Sequence, residues 1–515
     1  MDNRWWRHAV IYQVYVRSFA DADGDGVGDL PGIRSRLPYL ADLGVDAVWI
    51  TPCYPSPMND GGYDVADYRD IDPLFGTLDD ARALLEDAHG LGLKVILDIV
   101  PNHTSSAHRW FGEAMAAAPG SPERDRYIFR PGRGPDGAEP PNDWESIFGG
   151  GAWTRTEAGD WYLHLFDSTQ PDLNWENEEV KEEFRDVLRF WLDLGVDGFR
   201  VDVAHGMVKQ DGLPDVGAVG QRALLESRPL PYFDQDGVHE IYRDWRKILD
   251  SYSPPRIAVA EAWTPSAERT ARYLRADELH QAFNFHYLQA AWDAEALRKV
   301  IDDTQAAVAP VDAPATWVLS NHDVHRHVTR YGDGEQGLRR ARAAILLMLA
   351  LPGSVYLYQG EELGLPEVLD LPDEVLQDPM WERSGRTNRG RDGCRVPLPW
   401  ATDGTALGFG PDGSRPWLPQ PAGWGALSVA AQEGDPGSML ELYRTALRER
   451  PAGGFTWVGS GAGVLSFDRD RLRCTVNFGD PVRVPASEVL AVSGPCEVEG
   501  DTMLIPTDTA VWQAL

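Results

Sequence analysis

The chain has 515 residues, 43% of them hydrophobic, and a formal charge of −32. That length supports a large core and more than one domain. The acidic balance argues against nucleic acid and anionic membranes as partners, because phosphate binding needs clustered Lys and Arg, and it reads most simply as solubility.

No run approaches the roughly 20 apolar residues of a membrane span. The segment MDNRWWRHAVIYQVYV lacks the apolar core and cleavage site of a signal peptide, so a cytoplasmic protein is expected. Of the four cysteines, Cys53, Cys394, Cys474 and Cys496, none forms a C-x-x-C pair, so no zinc site is expected. Free thiols fit the cytoplasm; a Cys474–Cys496 bridge is the alternative and would argue for export. The 19 tryptophans and 17 tyrosines are many for this length and fit a saccharide site without proving one.

Strand-like segments fall near residues 9–18, 45–51, 94–99, 198–203, 256–261, 280–285, 316–321 and 354–358. Helical patterns lie between them, as in LPGIRSRLPYLADLG, where Ile33, Leu37, Leu40 and Leu43 recur at three- and four-residue steps. DDARALLEDAHGLG, EEVKEEFRDVLRFWLDLGV, HEIYRDWRKILDSY and LRRARAAILLMLALPG are equally periodic. Eight strands with intervening helices predict an α/β fold of the (β/α)₈ barrel type. The alternative is an open doubly wound sheet, but the first strand is followed by no G-x-G-x-x-G.

Two stretches interrupt the rhythm. Residues 104–177, rich in Gly, Pro, Trp and Asp, predict a small inserted subdomain, because unstructured loops that long are rare. Residues 361–425 form a second irregular stretch. From residue 452 the pattern becomes short strands and turns, which predicts a C-terminal antiparallel β domain over 452–515. The barrel then occupies 1–103 and 178–451.

After the first strand stands Asp21-Ala-Asp23-Gly-Asp25-Gly-Val27-Gly-Asp29. Acids at alternate positions with Gly after the third match the first half of a calcium loop, although Gly32 occupies the twelfth position where a bidentate Glu would close it. The expected ligands of a structural Ca²⁺ or Mg²⁺ are Asp21, Asp23, Asp25, Asp29 and the Val27 carbonyl.

Four of the strand-like runs end in an acid: Asp98, Asp202, Glu261 and Asp323. A lone acid there reads equally well as a cap. Four together predict convergence on the carboxyl-end face of a barrel, where such folds do chemistry. Arg200 shares a strand face with Asp202 and is expected to lower its pKa, which suits a nucleophile. Glu261, beside Trp263 in an apolar setting, is expected to stay protonated and to act as a general acid. Two carboxyls in those roles are what glycoside hydrolysis requires. Asp323 with His322, and His103, would hold sugar hydroxyls.

These residues carry a resemblance. DIVPNH (98–103), GFRVDVAH (198–205), EAW (261–263) and SNHD (320–323), with GYD (62–64) and QPDLNW (170–175), resemble the ordered motifs of the α-amylase family of glycoside hydrolases, family 13, in its oligo-1,6-glucosidase and α-glucosidase branch. The resemblance covers residues 5 to about 400. It implies Asp202 as nucleophile, Glu261 as acid/base and Asp323 as transition-state stabiliser. For substrate binding it implies Tyr63, Asp64, His103, Phe166, Arg200, His322 and Arg391. Asp64 and Arg391 would clamp the terminal glucose, with Arg395 second to Arg391.

The expected activity is that of a retaining exo-acting α-glucosidase that releases glucose from malto- or isomalto-oligosaccharides. A small oligosaccharide would be its partner, and the protein would act as a monomer or homodimer. Glucosyl transfer or sugar isomerisation on the same fold is the alternative, and a non-catalytic sugar-binding protein a more distant one. Val203 accompanies α-1,6 bonds in relatives, but AHGMVK and GRDGCRVPLPW depart from the branch's usual sequence and leave linkage open.

Overall fold

The computed structural model describes residues 4–459 and 461–515. Residues 1–3 of the barrel segment and residue 460 of the C-terminal segment lie outside the described residues. All eight strands expected from the sequence form: β1 (Val10–Val14), β2 (Ala47–Ile50) and β3 (Lys94–Ile99), then, after three strands of an insertion, β7 (Gly198–Val201), β8 (Ile257–Ala260), β9 (Gln281–Ala282), β10 (Thr316–Val318) and β11 (Ser354–Tyr358). They pair in parallel in the order β10-β11-β1-β2-β3-β7-β8-β9. The sheet curls until its edges nearly meet, and Asn284 N–H donates to the Thr316 carbonyl at 3.0 Å across the gap. This is the (β/α)₈ barrel.

Both faces of the barrel strands are buried, which explains why they read as continuous apolar runs. Period-two alternation still sorts them. Inward residues such as Ile11, Trp49, Ile96, Val259 and Tyr356 form one cluster, while Val48, Leu97, Val201 and Leu357 pack outward against helices. The same parity carries past the strand ends. Asp98 follows Ile96, Asp202 follows Arg200, and Glu261 follows Val259, so all three acids belong to the inward face at the carboxyl ends.

The helices begin and end where side chains satisfy their free backbone groups. The helix Leu30–Leu43 starts at Asp29, whose carboxylate accepts from Gly32 N–H at 2.6 Å. Thr77 and Asp80 form a capping box for Leu78–Gly90. The helix Glu178–Leu194 buries Val180, Phe184, Val187, Leu188 and Trp191, a stripe at helical spacing.

The helix Gly334–Ala350 differs from its amphipathic expectation. From Ala343 to Ala350 every residue is buried, because this helix is sandwiched between the barrel and the C-terminal strands.

The insertion between β3 and β7 contributes a small antiparallel sheet of β4 (Phe129–Pro131), β5 (Trp153–Arg155) and β6 (Asp160–Leu163), in the order β4-β6-β5. The C-terminal segment folds as two antiparallel sheets. β12 (Phe455–Trp457), β13 (Val464–Arg469), β14 (Leu472–Asn477), β16 (Val489–Val492) and β19 (Thr509–Ala514) form one in the order β12-β13-β14-β19-β16. β15 (Val482–Pro485), β17 (Glu497–Glu499) and β18 (Thr502–Ile505) form the other. Trp512 of β19 is wholly buried and donates its indole N–H to the Leu346 carbonyl at 3.0 Å, which ties this domain to the barrel.

No described helix is long and apolar enough to cross a membrane. All four cysteines are free thiols, so the Cys474–Cys496 alternative does not hold in this structure.

Candidate active site

Parallel register assembles the centre of the site. Asp98 on β3 lies opposite Arg200 on β7. The ladder continues beyond the strands, with Asp202 N–H donating to the Ile99 carbonyl at 2.9 Å and Glu261 N–H to the Val201 carbonyl at 3.0 Å. Arg200, wholly buried, donates to Asp98 at 3.0 Å and to Asp202, and its Nη2 lies 3.7 Å from Glu261 Oε2. One guanidinium therefore holds three carboxyls from three adjacent strands.

Asp202, Glu261 and Asp323 line a single cavity of about 630 Å³ at the carboxyl end of the barrel. That volume falls within the range of small-molecule sites. Tyr63, His103, Phe166, His322 and Arg391 line it too. Asp98 does not. It sits behind Arg200 and accepts from Tyr63 Oη at 2.9 Å and Trp49 Nε1 at 3.2 Å, so the fourth acid of the sequence pattern supports the site from beneath.

Glu261 is held at both oxygens. Oε2 accepts from Val203 N–H and Oε1 from Trp263 Nε1, each at 2.6 Å. Val203 reaches Glu261 from a left-handed conformation, with φ of 43°. For a β-branched residue this is strained backbone, sustained by its surroundings at a cost of roughly 1–3 kcal/mol. Burial pushes the Glu261 carboxyl up to about 8, opposed by Arg200 and reinforced by Asp202 and Asp323.

Asp202 corrects the expectation from its neighbour. Burial raises its pKa above the usual carboxylate range, and Arg200 opposes that rise without reversing it. The same burial takes Asp98 up to about 7.

Asp323 goes the other way. Burial would raise it, but its surroundings, His322 and the guanidiniums of Arg391, Arg395 and Arg200, hold it far below the usual range. Burial keeps His322 itself neutral, so the three guanidiniums are the charges responsible. Gln13 Nε2 meets His322 Nδ1 at 2.7 Å, which assigns the proton to Nε2, 3.3 Å from Asp323. Tyr63 stacks on His322 with ring centres 5.1 Å apart. His103 lies against Phe166 at 5.2 Å, and its Nε2 is 3.1 Å from the Tyr63 carbonyl.

The clamp also needs a correction. Asp64 is wholly buried and does not line the cavity. Its carboxylate accepts from Ser56 Oγ at 2.9 Å, Asn59 N–H at 3.0 Å and Asp60 N–H at 3.1 Å, which spends it on its own loop. The acid that pairs with Arg391 is Asp60, at 2.7 Å. Gly61 and Gly62, both at positive φ, turn the chain sharply enough to send Asp60 into the cavity and Asp64 beneath it. Arg391 further bonds Asp323 at 2.9 Å and Asp378 at 2.5 Å and lies over Phe148. Arg395 donates to the His322 carbonyl at 2.8 Å and to Asp323 at 3.1 Å. Sequence reasoning missed Asp60, Phe148 and Asp378. Only Asp60 left a signal, as an acid three residues before Tyr63.

Apart from this cavity, the donor oxygens of Asp21, Asp23 and Asp29 lie within 4.8 Å of one another. Asp25 stays outside that cluster, exposed, and accepts from Val27 N–H. Burial raises Asp21 and Asp29, and neighbouring acids add to both. An all-oxygen set of crowded, partly buried carboxylates fits a hard cation.

Three comparisons bear on this geometry. Residues 13–455 match the family model of the α-amylase catalytic domain. The chain is 41% identical over 512 residues to a probable α-glucosidase of Rhizobium meliloti (strain 1021), covering 93% of this chain and 90% of that protein. It is 36% identical over 481 residues to an oligo-1,6-glucosidase of Parageobacillus thermoglucosidasius, covering 87% and 84%. Among solved structures, an α-glucosyl transfer enzyme superposes with a TM-score of 0.88 at 38% identity, over 99% of each chain.

The reassigned clamp separates two neighbouring acids by experiment. Asp60→Asn is expected to lower initial rates on maltose or isomaltose at least tenfold. Asp64→Asn is expected to lower stability by about 1–3 kcal/mol, the cost of unsatisfied buried donors, while its folded fraction keeps its rate. Calorimetry alongside rate assays reads both, and the reverse pattern would restore Asp64 to the clamp.

Proposed function

The chain belongs to the α-amylase family of glycoside hydrolases, and from that membership we propose that it is a retaining exo-acting α-glucosidase. It takes glucose from the non-reducing end of short malto- or isomalto-oligosaccharides. The observation that carries this reading is the shared guanidinium. Arg200 holds Asp202 and reaches Glu261, and both carboxyls face one cavity. A retaining mechanism needs one carboxyl as nucleophile and a second as acid/base across the same sugar, and these two share one guanidinium and one cavity.

Asp202 is anchored through Oδ1, which leaves its second oxygen to attack the anomeric carbon and form the glucosyl ester. Glu261 donates its proton to the departing oxygen and then takes one from water. Asp323, kept ionised by the guanidiniums around it, stabilises the positive charge that develops on the ring. His322 Nε2–H and His103 are suited to hold sugar hydroxyls, with Tyr63 and Phe166 against the ring face. Asp60–Arg391–Asp323 supports an exo mode, because an ion pair across the cavity end leaves room for one terminal sugar.

A second reading is glucosyl transfer, favoured by the likeness to the α-glucosyl transfer enzyme. The covalent step is shared and only the acceptor differs. We also propose that Asp21, Asp23 and Asp29 hold Ca²⁺ or Mg²⁺ as a structural ion, with the Val27 carbonyl and Asp25 as further candidates. The free cysteines support a reducing, cytoplasmic setting.

A fluorinated α-glucosyl fluoride is expected to trap the ester, and peptide mass mapping should find the added sugar on Asp202. A label on any other side chain removes the mechanism. Chromatography of maltose, isomaltose and sucrose digests then decides between hydrolysis, with free glucose as the sole product of glucosyl release, and transfer.

The acid form of Glu261 exists below about pH 8 and is lost as pH rises through it. kcat/KM is therefore expected to fall above about pH 8. With α-glucosyl fluoride, whose leaving group needs no proton, the wild type should show no such fall, and Glu261→Gln should still be glucosylated.

Removal of divalent cations by a chelator is expected to lower the melting temperature, and Ca²⁺ or Mg²⁺ to restore it. An unchanged melt in both states discards the ion.

A further inference from the structure

The segment between β7 and the helix Val238–Asp250 forms a wall of the cavity. Its short turn Gln221–Glu226 brings Arg222, Ala223 and Leu225 to the lining, beside Gly220. The inserted subdomain pins this wall. Asp143 accepts from Val216 and Gly217 N–H, both at 2.7 Å, and Glu145 accepts from Gly220 N–H at 3.1 Å and Gln221 N–H at 2.8 Å. Gln221, wholly buried, returns a hydrogen bond to the Asp143 carbonyl at 2.7 Å.

Arg222 stands out on this wall. The other guanidiniums around the site each have a carboxylate partner: Arg200 has Asp98 at 3.0 Å, Arg391 has Asp60 at 2.7 Å, Arg395 has Asp323 at 3.1 Å, and Arg383 has Asp167 at 3.1 Å. Arg222 has neither an ion pair nor a hydrogen bond among the described residues. It is exposed and lines the cavity. Arg391 opposes its charge, and Asp323 and Asp378 are near enough to favour it but are already taken by Arg391. Ala223, Leu225, Val324 and Met380 line the cavity too, with Gln289 and His205 as further polar groups. An exposed, unpaired cation with a second cation near it is favoured more by an anion than by a neutral group. A neutral hydroxyl leaves the repulsion in place.

We propose that the outer half of the cavity is an aglycone subsite for a group bearing a carboxylate or a phosphate, and that Arg222 receives that anion. The proposal rests on the α-glucosidase reading and specifies its substrate class. The terminal glucose occupies the inner half, against Asp202 and the Asp60–Arg391 clamp. The leaving group extends past Glu261 and Trp263 toward Arg222.

The test uses two pairs of substrates that differ in aglycone charge. One pair is 4-carboxyphenyl and 4-carbamoylphenyl α-glucoside. The other is maltose with and without a phosphate on O6 of its reducing unit. For the wild-type chain, kcat/KM is expected to favour the charged member, and the pair with the larger preference identifies the anion. Arg222→Ala should reduce that ratio about tenfold or more, the worth of one charge-assisted hydrogen bond. Arg222→Lys should keep part of it, and added NaCl should narrow it.

A wild-type ratio at or below one in both pairs overturns the proposal. So does an Arg222→Ala variant that loses rate equally on both members, since that is the mark of a hydroxyl contact. Turnover of the neutral members with no charge preference sinks only this inference. Failure to turn over any of the four sinks the α-glucosidase reading and this inference with it. Calorimetry of both variants guards against a folding defect.

Discussion

One buried cation organises the site. Arg200 lies among Asp98, Asp202 and Glu261, on the inward face where β3, β7 and β8 end. Taking a guanidinium out of water is expensive unless its partners are fixed and its hydrogen bonds made. The parallel ladder supplies that fixity, because each carboxyl is attached to a backbone already tied to its neighbour: Asp202 N–H to Ile99, and Glu261 N–H to Val201. The charge cluster and the barrel therefore depend on each other. A shift of one residue between β7 and β8 would move Asp202 or Glu261 to the outward face and leave Arg200 buried without them.

Burial and charge then push the three cavity acids apart. Desolvation acts in the same direction on each. What separates them is how many guanidiniums lie near and how close each one is. Glu261 has Arg200 at 3.7 Å and two nearby acids, so burial prevails and its carboxyl rises to about 8. Asp323 has Arg391 at 2.9 Å and Arg395 at 3.1 Å, so charge prevails and it stays ionised. Asp202 has one close guanidinium, and its pKa is still raised by burial. A positively charged ring carbon at this site would replace the missing cation and favour its ionised form. Environments that drive neighbouring carboxyls apart in this way let one fold supply both acid and anion at one pH.

The entrance is built by different means. The barrel strands supply the cavity floor, but its walls come from loops: the turn at Asp60–Asp64, the inserted subdomain with Phe148 and Phe166, the wall carrying Arg222, and the stretch with Met380 and Arg391. These walls are joined by carboxylates that accept backbone N–H groups, such as Asp143 and Glu145, and by ion pairs across long sequence separations, such as Asp60–Arg391. Loops over a rigid scaffold are where specificity can vary without cost to the barrel.

The sequence alone determined the eight strands, their parallel order and the convergence of the acids at one end. Those features follow from local periodicity, and period-two parity is set residue by residue. Asp202, Glu261 and Asp323 were legible for that reason, as were His103 and His322 beside them, whereas Tyr63 came only from the family resemblance. Only the tertiary structure decided which acid of the Asp60–Asp64 turn meets Arg391, because two glycines at positive φ reverse the chain within five residues. Tertiary structure alone decided that Asp98 lies behind Arg200, that burial outweighs one guanidinium at Asp202, and that Arg222 lines the cavity without a partner among the described residues. Each of these turns on distances between segments far apart in the chain, and on how much water they exclude together, neither of which is encoded in spacing along the sequence.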